Sequence, residues 1–188
     1  ARNIISGNLA DGIVMHDSGA RSNRVEGNYI GVDVTGTNKL QNGLSGVSIT
    51  NAPYNFIGSS AAAGGNVISG NQAQGITVFS PGACGNLIQG NLIGLNATGA
   101  RALGNGLEGV WMVDARSNTV GSAAAGNVIA GNGKTAVYLQ GACLSNVISG
   151  NLIGTDALGT TGIGNSGGDG ILVFGGAGNL IGGTLAGA

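Results

Sequence analysis

Chemistry on a sugar polymer or an ester needs carboxylates in pairs, or a carboxylate beside a cation, at a spacing set by the reacting bond. The chain offers few candidates: 7 Lys or Arg, 8 Asp or Glu and one His among 188 residues. Glu108 and Asp169 come nearest, each standing just before a glycine-led apolar phrase, GVWM and GILV. They fall two turns of a repeat apart, about 9.6 Å at the spacing of stacked strands, and no partner lies between them. The reading is of solvated turn residues, so no catalytic residue is expected and the chain is not expected to be an enzyme. His16 and Asp17 are adjacent, but a nucleophile and base need a third group beside them, and His16 is expected to be a lone surface histidine. Asp33, Asn96 and Asp156 recur in three similar segments and suit either a weak hard-cation site or a turn built on Asp or Asn; the turn is favoured. GNSGGDGILV around Asp169 has the composition of calcium-binding nonapeptides but occurs once, where stacked copies are required. No metal and no cofactor are expected.

Aromatic residues are the other candidates. Phe79, Trp111, Tyr138 and Phe174, four of the chain's seven aromatics, fall at outward positions of one repeated phrase. A flat aromatic array stacks on sugar rings or buries against a partner, and the plain alternative is that outward aromatics suit strands. These four are the candidate binding residues.

The elements that must position them are short. GIVM at Gly12, GVSI at Gly46, GITV at Gly75, GVWM at Gly109, AVYL at Ala136 and GILV at Gly170 are each followed by two asparagine-led phrases. The first phrase begins at Asn23, Asn55, Asn86, Asn118, Asn146 and Asn179; the second begins at Asn28, Asn66, Asn91, Asn127 and Asn151. Each segment alternates apolar residues over three to five positions between Gly and Asn, which predicts a short strand with a turn at each end. Three strands per cycle without helical periodicity predict an all-β, three-sided solenoid of about six coils.

In such a solenoid equivalent residues stack on themselves. Two inward columns are therefore predicted, Ile13, Val47, Ile76, Val110, Val137, Ile171 and Met15, Ile49, Val78, Met112, Leu139, Val173. The corner asparagines are expected to form two amide ladders and to tolerate left-handed backbone. Glycine after each bend is expected where a β-carbon would clash. A longer period of 60 to 63 residues pairs unequal coils, giving super-repeats of approximately 1–65, 66–126 and 127–188. The odd coil of each pair carries an insertion, from Val32, Leu95 and Thr155, expected to project from one corner. The even coil carries a small-residue turn, SSAAAGG or SAAAG. Cys84 and Cys143 fall about two coils apart, beyond the roughly 7 Å that a disulfide spans, so two free thiols are expected.

Composition limits the alternatives. A net charge of -1 without basic runs gives nothing to steer nucleic acid, and no run of about 18 apolar residues is present for membrane insertion. The 40 glycines lack a G-X-Y period, which excludes collagen. The start, ARNIISGN, has neither Met nor a signal-peptide pattern, and tail joined to head would continue the repeat in phase; the expectation is a fragment of a longer array or a subunit that stacks end to end.

The GIxI and NxIxGN phrases resemble the right-handed, single-stranded parallel β-helix repeats of the pectate-lyase-like superfold, and GNLIG…TG…GN…G[IV]xI resembles repeat arrays of bacterial secreted and surface proteins. The resemblance spans essentially the whole chain. It implies the hand of the helix and an extracellular or cell-surface location. Polysaccharide lyases and hydrolases share this fold, but none of their paired-Asp, Gly-His-Gly or Asp-Pro-His phrases occurs here. The expected function is a non-catalytic structural and interaction module whose partners are neighbouring coils or stacked copies of itself. The alternative is a polysaccharide-binding or polysaccharide-active β-helix using the aromatic face, with a glycan as partner.

Overall fold

The computed structural model describes residues 1–61 and 64–183. The strands run β1 Ile4–Ile5, β2 Ile13–His16, β3 Arg24–Val25, β4 Tyr29–Ile30, β5 Val47–Thr50, β6 Phe56–Ile57, β7 Val67–Ile68, β8 Ile76–Phe79 and β9 Leu87–Ile88. They continue as β10 Leu92–Ile93, β11 Val110–Val113, β12 Thr119–Val120, β13 Val128–Ile129, β14 Val137–Gln140, β15 Val147–Ile148, β16 Leu152–Ile153, β17 Ile171–Phe174 and β18 Leu180–Ile181. Every third strand pairs in parallel, which makes three six-stranded sheets and no helix among the described residues. Sheet 1 contains β1, β4, β7, β10, β13 and β16; sheet 2 runs from β2 to β17; sheet 3 runs from β3 to β18. The chain is a three-sided parallel β-solenoid.

Alternation decides which side chains point inward. Val47, Ile76, Val110 and Val137 stack in register and are fully buried, as are Ile49, Val78, Met112 and Leu139. Both predicted columns are therefore in place. Ile30, Ile68, Ile93 and Ile129 line the second wall and Ile57, Ile88, Val120 and Ile148 the third, all 2% exposed or less. At the turn from sheet 2 to sheet 3 a column of small residues, Ala52, Ala83, Ala115 and Cys143, closes the core. Cys143 lies one position out of register with Cys84, and both thiols are free.

The corners hold three asparagine ladders, one more than the sequence reading expects. Asn23, Asn55, Asn86, Asn118, Asn146 and Asn179 form the first, each donating its backbone N–H to Oδ1 of the next asparagine at 2.8–2.9 Å. Asn3, Asn28, Asn66, Asn91, Asn127 and Asn151 form the second in the same way. The third joins Asn8, Asn42, Asn71, Asn105, Asn132 and Asn165 where the chain passes from sheet 1 to sheet 2. Insertions hide it in the sequence, because in odd coils they separate the asparagine from its strand. Most side-chain amides also reach back to a carbonyl of the preceding coil, as Asn91 Nδ2 does to Ile57 O at 2.8 Å. One side chain thus fastens three coils.

Left-handed geometry falls elsewhere than predicted. It is carried by residues that precede a corner asparagine, such as Ser22, Tyr54, Ser117 and Ser145, and by residues closing the sheet 2 strands, such as Asp17, Asn51, Ser80 and Asp114. The ladder asparagines themselves keep ordinary φ because their amides must stack. Gly94 shows the other constraint: its φ is +88°, and a β-carbon there would lie 2.2 Å from Ala130 O.

The insertions do not project freely. Each closes on itself through one antiparallel bridge, Val32 with Lys39, Leu95 with Ala102, and Thr155 with Gly162. Successive insertions then join, Ala97 N–H to Gly36 O at 2.9 Å and Ala157 N–H to Gly99 O at 3.0 Å. They fold back over the outer face of sheet 1, where Tyr29, Val32 and Val67 form a second small core with Leu92, Ala97 and Leu103. Apolar outward residues on that sheet explain the docking, since free projection would leave them in water.

Candidate functional site

The outer face of sheet 2 carries the candidate residues. Register places Val14, Ser48, Thr77, Trp111, Tyr138 and Leu172 in one outward column and His16, Thr50, Phe79, Val113, Gln140 and Phe174 in the next. Trp111 and Tyr138 are therefore direct cross-strand neighbours, and both are half-buried. Trp111 Nε1–H donates to Gln140 Oε1 at 3.1 Å, which fixes the indole across the strand pair. Phe79 and Phe174 share a column but stand three strands apart, with Val113 and Gln140 between them. The four aromatics lie on one face, with only Trp111 and Tyr138 adjacent.

Beside this face runs a polar column that the sequence reading treats as solvated. Glu108 is only 7% exposed, a correction to that reading, while Asp169 is exposed. Gln74 Nε2 donates to Glu108 Oε2 at 2.9 Å, and Lys134 Nζ lies 3.8 Å from Oε1. Gln74 Oε1 in turn accepts from Ser45 Oγ at 3.3 Å, and Ser45 Oγ also meets Thr77 Oγ1 at 3.0 Å. Stacking buries Glu108: a residue at a corner is covered by its equivalents above and below. Thr135 occupies the rung between Glu108 and Asp169. Glu108 is held by an amide and an ammonium, and Asp169 stands apart from it in solvent.

Elsewhere the ionisable groups serve turns. Asp33 accepts from Thr35 Oγ1 at 2.7 Å, from Asn38 Nδ2 at 2.9 Å and from the N–H of Thr37 at 3.1 Å. The Asn38 side chain first, then Thr35, holds its carboxyl well below the usual carboxylate range. Asn96 and Asp156 cap their own insertions alike, through the N–H of Ala100 and Arg101 and of Thr160. Bonding from the Thr160 N–H chiefly lowers the Asp156 pKa. This is the turn geometry that the sequence favours at these positions. His16 Nδ1 lies 3.0 Å from Asp17 Oδ2, with both side chains well exposed. Among the described residues no group of three or more His, Cys, Asp or Glu comes together.

A groove that the sequence does not announce lies along sheet 1, between the insertions and the small-residue turns. It has a volume of about 360 Å³ and is lined by residues including Arg2, Tyr29, Ser59, Leu92, Ala97 and Ala124. Its charged residue is already engaged: Arg2 stacks 3.9 Å above the Tyr29 ring and donates Nε–H to Gly27 O at 3.2 Å. The runs of alanine and serine in even coils are its sequence trace, since small turns leave a channel beside a larger insertion.

Compared with protein-family models, curated proteins and solved structures, the chain matches none.

Proposed function

We propose that the chain is a non-catalytic structural and interaction module, a β-solenoid segment of an extracellular or surface protein whose partners are further coils. The observation that carries this reading is where the buried polar groups go. Asparagines fill three continuous ladders, Glu108 is tied to Gln74, and Ser80 Oγ is the sole buried side-chain polar atom without a partner among the described residues. A chain that commits its buried hydrogen-bonding capacity to joining coils is suited to holding length and shape. Incubation with uronic-acid and neutral polysaccharides tests it: no new reducing ends and no unsaturated-product absorbance are expected, and turnover above the buffer rate would overturn it.

A second reading has a specific observation behind it. Trp111 and Tyr138 are cross-strand neighbours, half-buried on the outer face of sheet 2 with Phe79 and Phe174 on the same face, and aromatic side chains grouped on one face suit the apolar faces of a sugar chain. Screening the parent and the Trp111→Ala, Tyr138→Ala double variant against a glycan array separates the two. A glycan held by the parent and lost by the variant favours the binding face; no glycan on the parent removes it.

A further inference from the structure

We infer that Asn42, Asn105 and Asn132 are deamidation sites that the closed solenoid holds shut, so that opening of their coils is recorded covalently and the opened coils cannot close again. The inference goes beyond the scaffold reading and stands whether or not that reading holds.

The sequence holds three Asn-Gly pairs, at Asn42, Asn105 and Asn132, and all three fall in the third ladder. In the other two ladders each asparagine is followed by the first residue of a strand, none of them glycine. Asparagine is chemically labile, and most so before glycine, where no side chain shields the next backbone nitrogen and the backbone turns freely. Packing demands these glycines. A β-carbon would lie 2.2 Å from Leu9 O at Gly43, 2.2 Å from Gln72 O at Gly106 and 2.3 Å from Gly106 O at Gly133. The close approach of coils at this corner thus builds the labile pair into the ladder.

The reaction is an intramolecular substitution. The backbone nitrogen of the glycine, its proton taken by hydroxide, attacks Cγ of the asparagine; the Cγ–Nδ2 bond breaks, the leaving nitrogen takes a proton from water, and ammonia departs. Water then adds to either carbonyl of the resulting succinimide ring and opens it to aspartate or isoaspartate, so that water enters and ammonia leaves. In the closed chain both reacting groups are tied down. The N–H of Gly43 donates to Asn8 O at 2.8 Å, that of Gly106 to Asn71 O at 2.9 Å and that of Gly133 to Asn105 O at 2.9 Å. The side-chain amides are gripped as well: Asn105 Nδ2 donates to Ile68 O at 3.0 Å and to Asn132 Oδ1 at 2.9 Å, and its Oδ1 accepts from Asn71 Nδ2 at 2.8 Å. All three asparagines are 1% exposed or less, out of reach of hydroxide.

Conversion destroys the rung. The oxygen that replaces Nδ2 at Asn105 would face Ile68 O and Asn132 Oδ1, acceptor against acceptor, with its charge buried. Isoaspartate also adds a carbon to the main chain. The lifetime of the fold at this corner is therefore set by a rate, that of opening followed by chemistry.

Peptide mapping by mass spectrometry tests this on the 188-residue chain, held at mildly alkaline pH in buffer and in guanidinium chloride. Aspartate and isoaspartate should form at Asn42, Asn105 and Asn132 at least about a hundredfold faster in denaturant than in buffer, because attack waits for local opening. At intermediate denaturant the rates should rise across the unfolding transition seen by circular dichroism. Asn71 and Asn91, followed by Gln72 and Leu92, should stay intact over the same period. Asn105→Asp, made directly, should unfold at lower denaturant than the parent at the same pH, or not fold at all. Equal rates in buffer and denaturant overturn the inference, as do an inert Asn105 in the unfolded chain and conversion of Asn71 as fast as that of Asn105. An Asn105→Asp variant as stable as the parent overturns it too, since the opened coil could then close again.

Discussion

Asn91 has little hydrogen-bonding capacity left to spare. It is fully buried, donates its N–H and Nδ2 to Asn127 Oδ1 and Nδ2 also to Ile57 O, and accepts from the N–H and Nδ2 of Asn66. Asn91→Leu should cost about 1–3 kcal/mol for each buried group left unpaired, read as a lower midpoint in urea unfolding. Asn3→Leu, on an outermost rung, should cost markedly less. Backbone geometry gives an independent residue-scale comparison. Gly94→Ala meets Ala130 O in a left-handed position, whereas a β-carbon at Gly164 has nothing within 4 Å. Thermal melts should show a large fall for the first and almost none for the second. At Asp33 the folded pKa is lowered, so its turn bonds favour the ionised form. Stability from those bonds is present above the unfolded value of about 3.9 and is lost as pH falls through the lowered folded value. Protection factors of the Thr37 and Asn38 amides, with the intrinsic pH dependence of exchange divided out, should fall under strong acid and be unchanged between pH 5 and 8.

At the scale of the element, two-residue strands persist only because each is sandwiched between equivalents. An isolated pair of such strands has too few bonds and too little apolar area to offset its ordering cost. The serines of alternate coils show how one element sets up the next. Ser69 Oγ donates to Leu95 O at 2.7 Å and accepts the Gly94 N–H at 3.0 Å, anchoring the base of the following insertion; Ser6 does the same for Gly31 and Val32. In the third insertion the equivalent residue is Ala130, and that anchor is missing. The insertions depend as much on sheet 1: a β-carbon at Gly36 would lie 2.5 Å from Ala97 Cβ and 2.8 Å from the Tyr29 ring. Gly36→Val should lift the first insertion away and expose Tyr29, seen as faster exchange at Ala97 and altered tyrosine fluorescence, while the sheets stay intact. Sheet 2 supports a sharper comparison. Glu108→Gln keeps an acceptor for Gln74 and should be nearly neutral, whereas Glu108→Ala leaves that amide unpaired at about 1–3 kcal/mol.

For the whole molecule, stacked units that touch only their neighbours approximate a one-dimensional array. Opening is therefore expected to begin at the outer coils, and hydrogen exchange should be slowest in β8 and β11 and fastest in β1 and β18. Thiol chemistry follows the same gradient of access. Cys143 is fully buried and burial pushes its thiol upward, while Cys84 is half-buried. A thiol reagent at neutral pH should label Cys84 first and reach Cys143 only when the solenoid opens. The scaffold role proposed above belongs to this scale, because length is a property of the array that no single coil possesses.

Much of the fold is legible in the residues because a solenoid converts sequence periodicity directly into contacts. Strand count, inward and outward columns, the aromatic register and two of the ladders follow from spacing alone, since stacking makes each residue the neighbour of its own equivalent. The third ladder, the buried state of Glu108 and the docking of the insertions do not follow. Asn42 and Asn71 occupy one column although an insertion separates only the first from its strand, and Glu108 is covered by residues of neighbouring coils whose distance along the chain varies. The tertiary structure alone determines these features, because they depend on where the chain returns after segments of unequal length, and local pattern carries no record of that path.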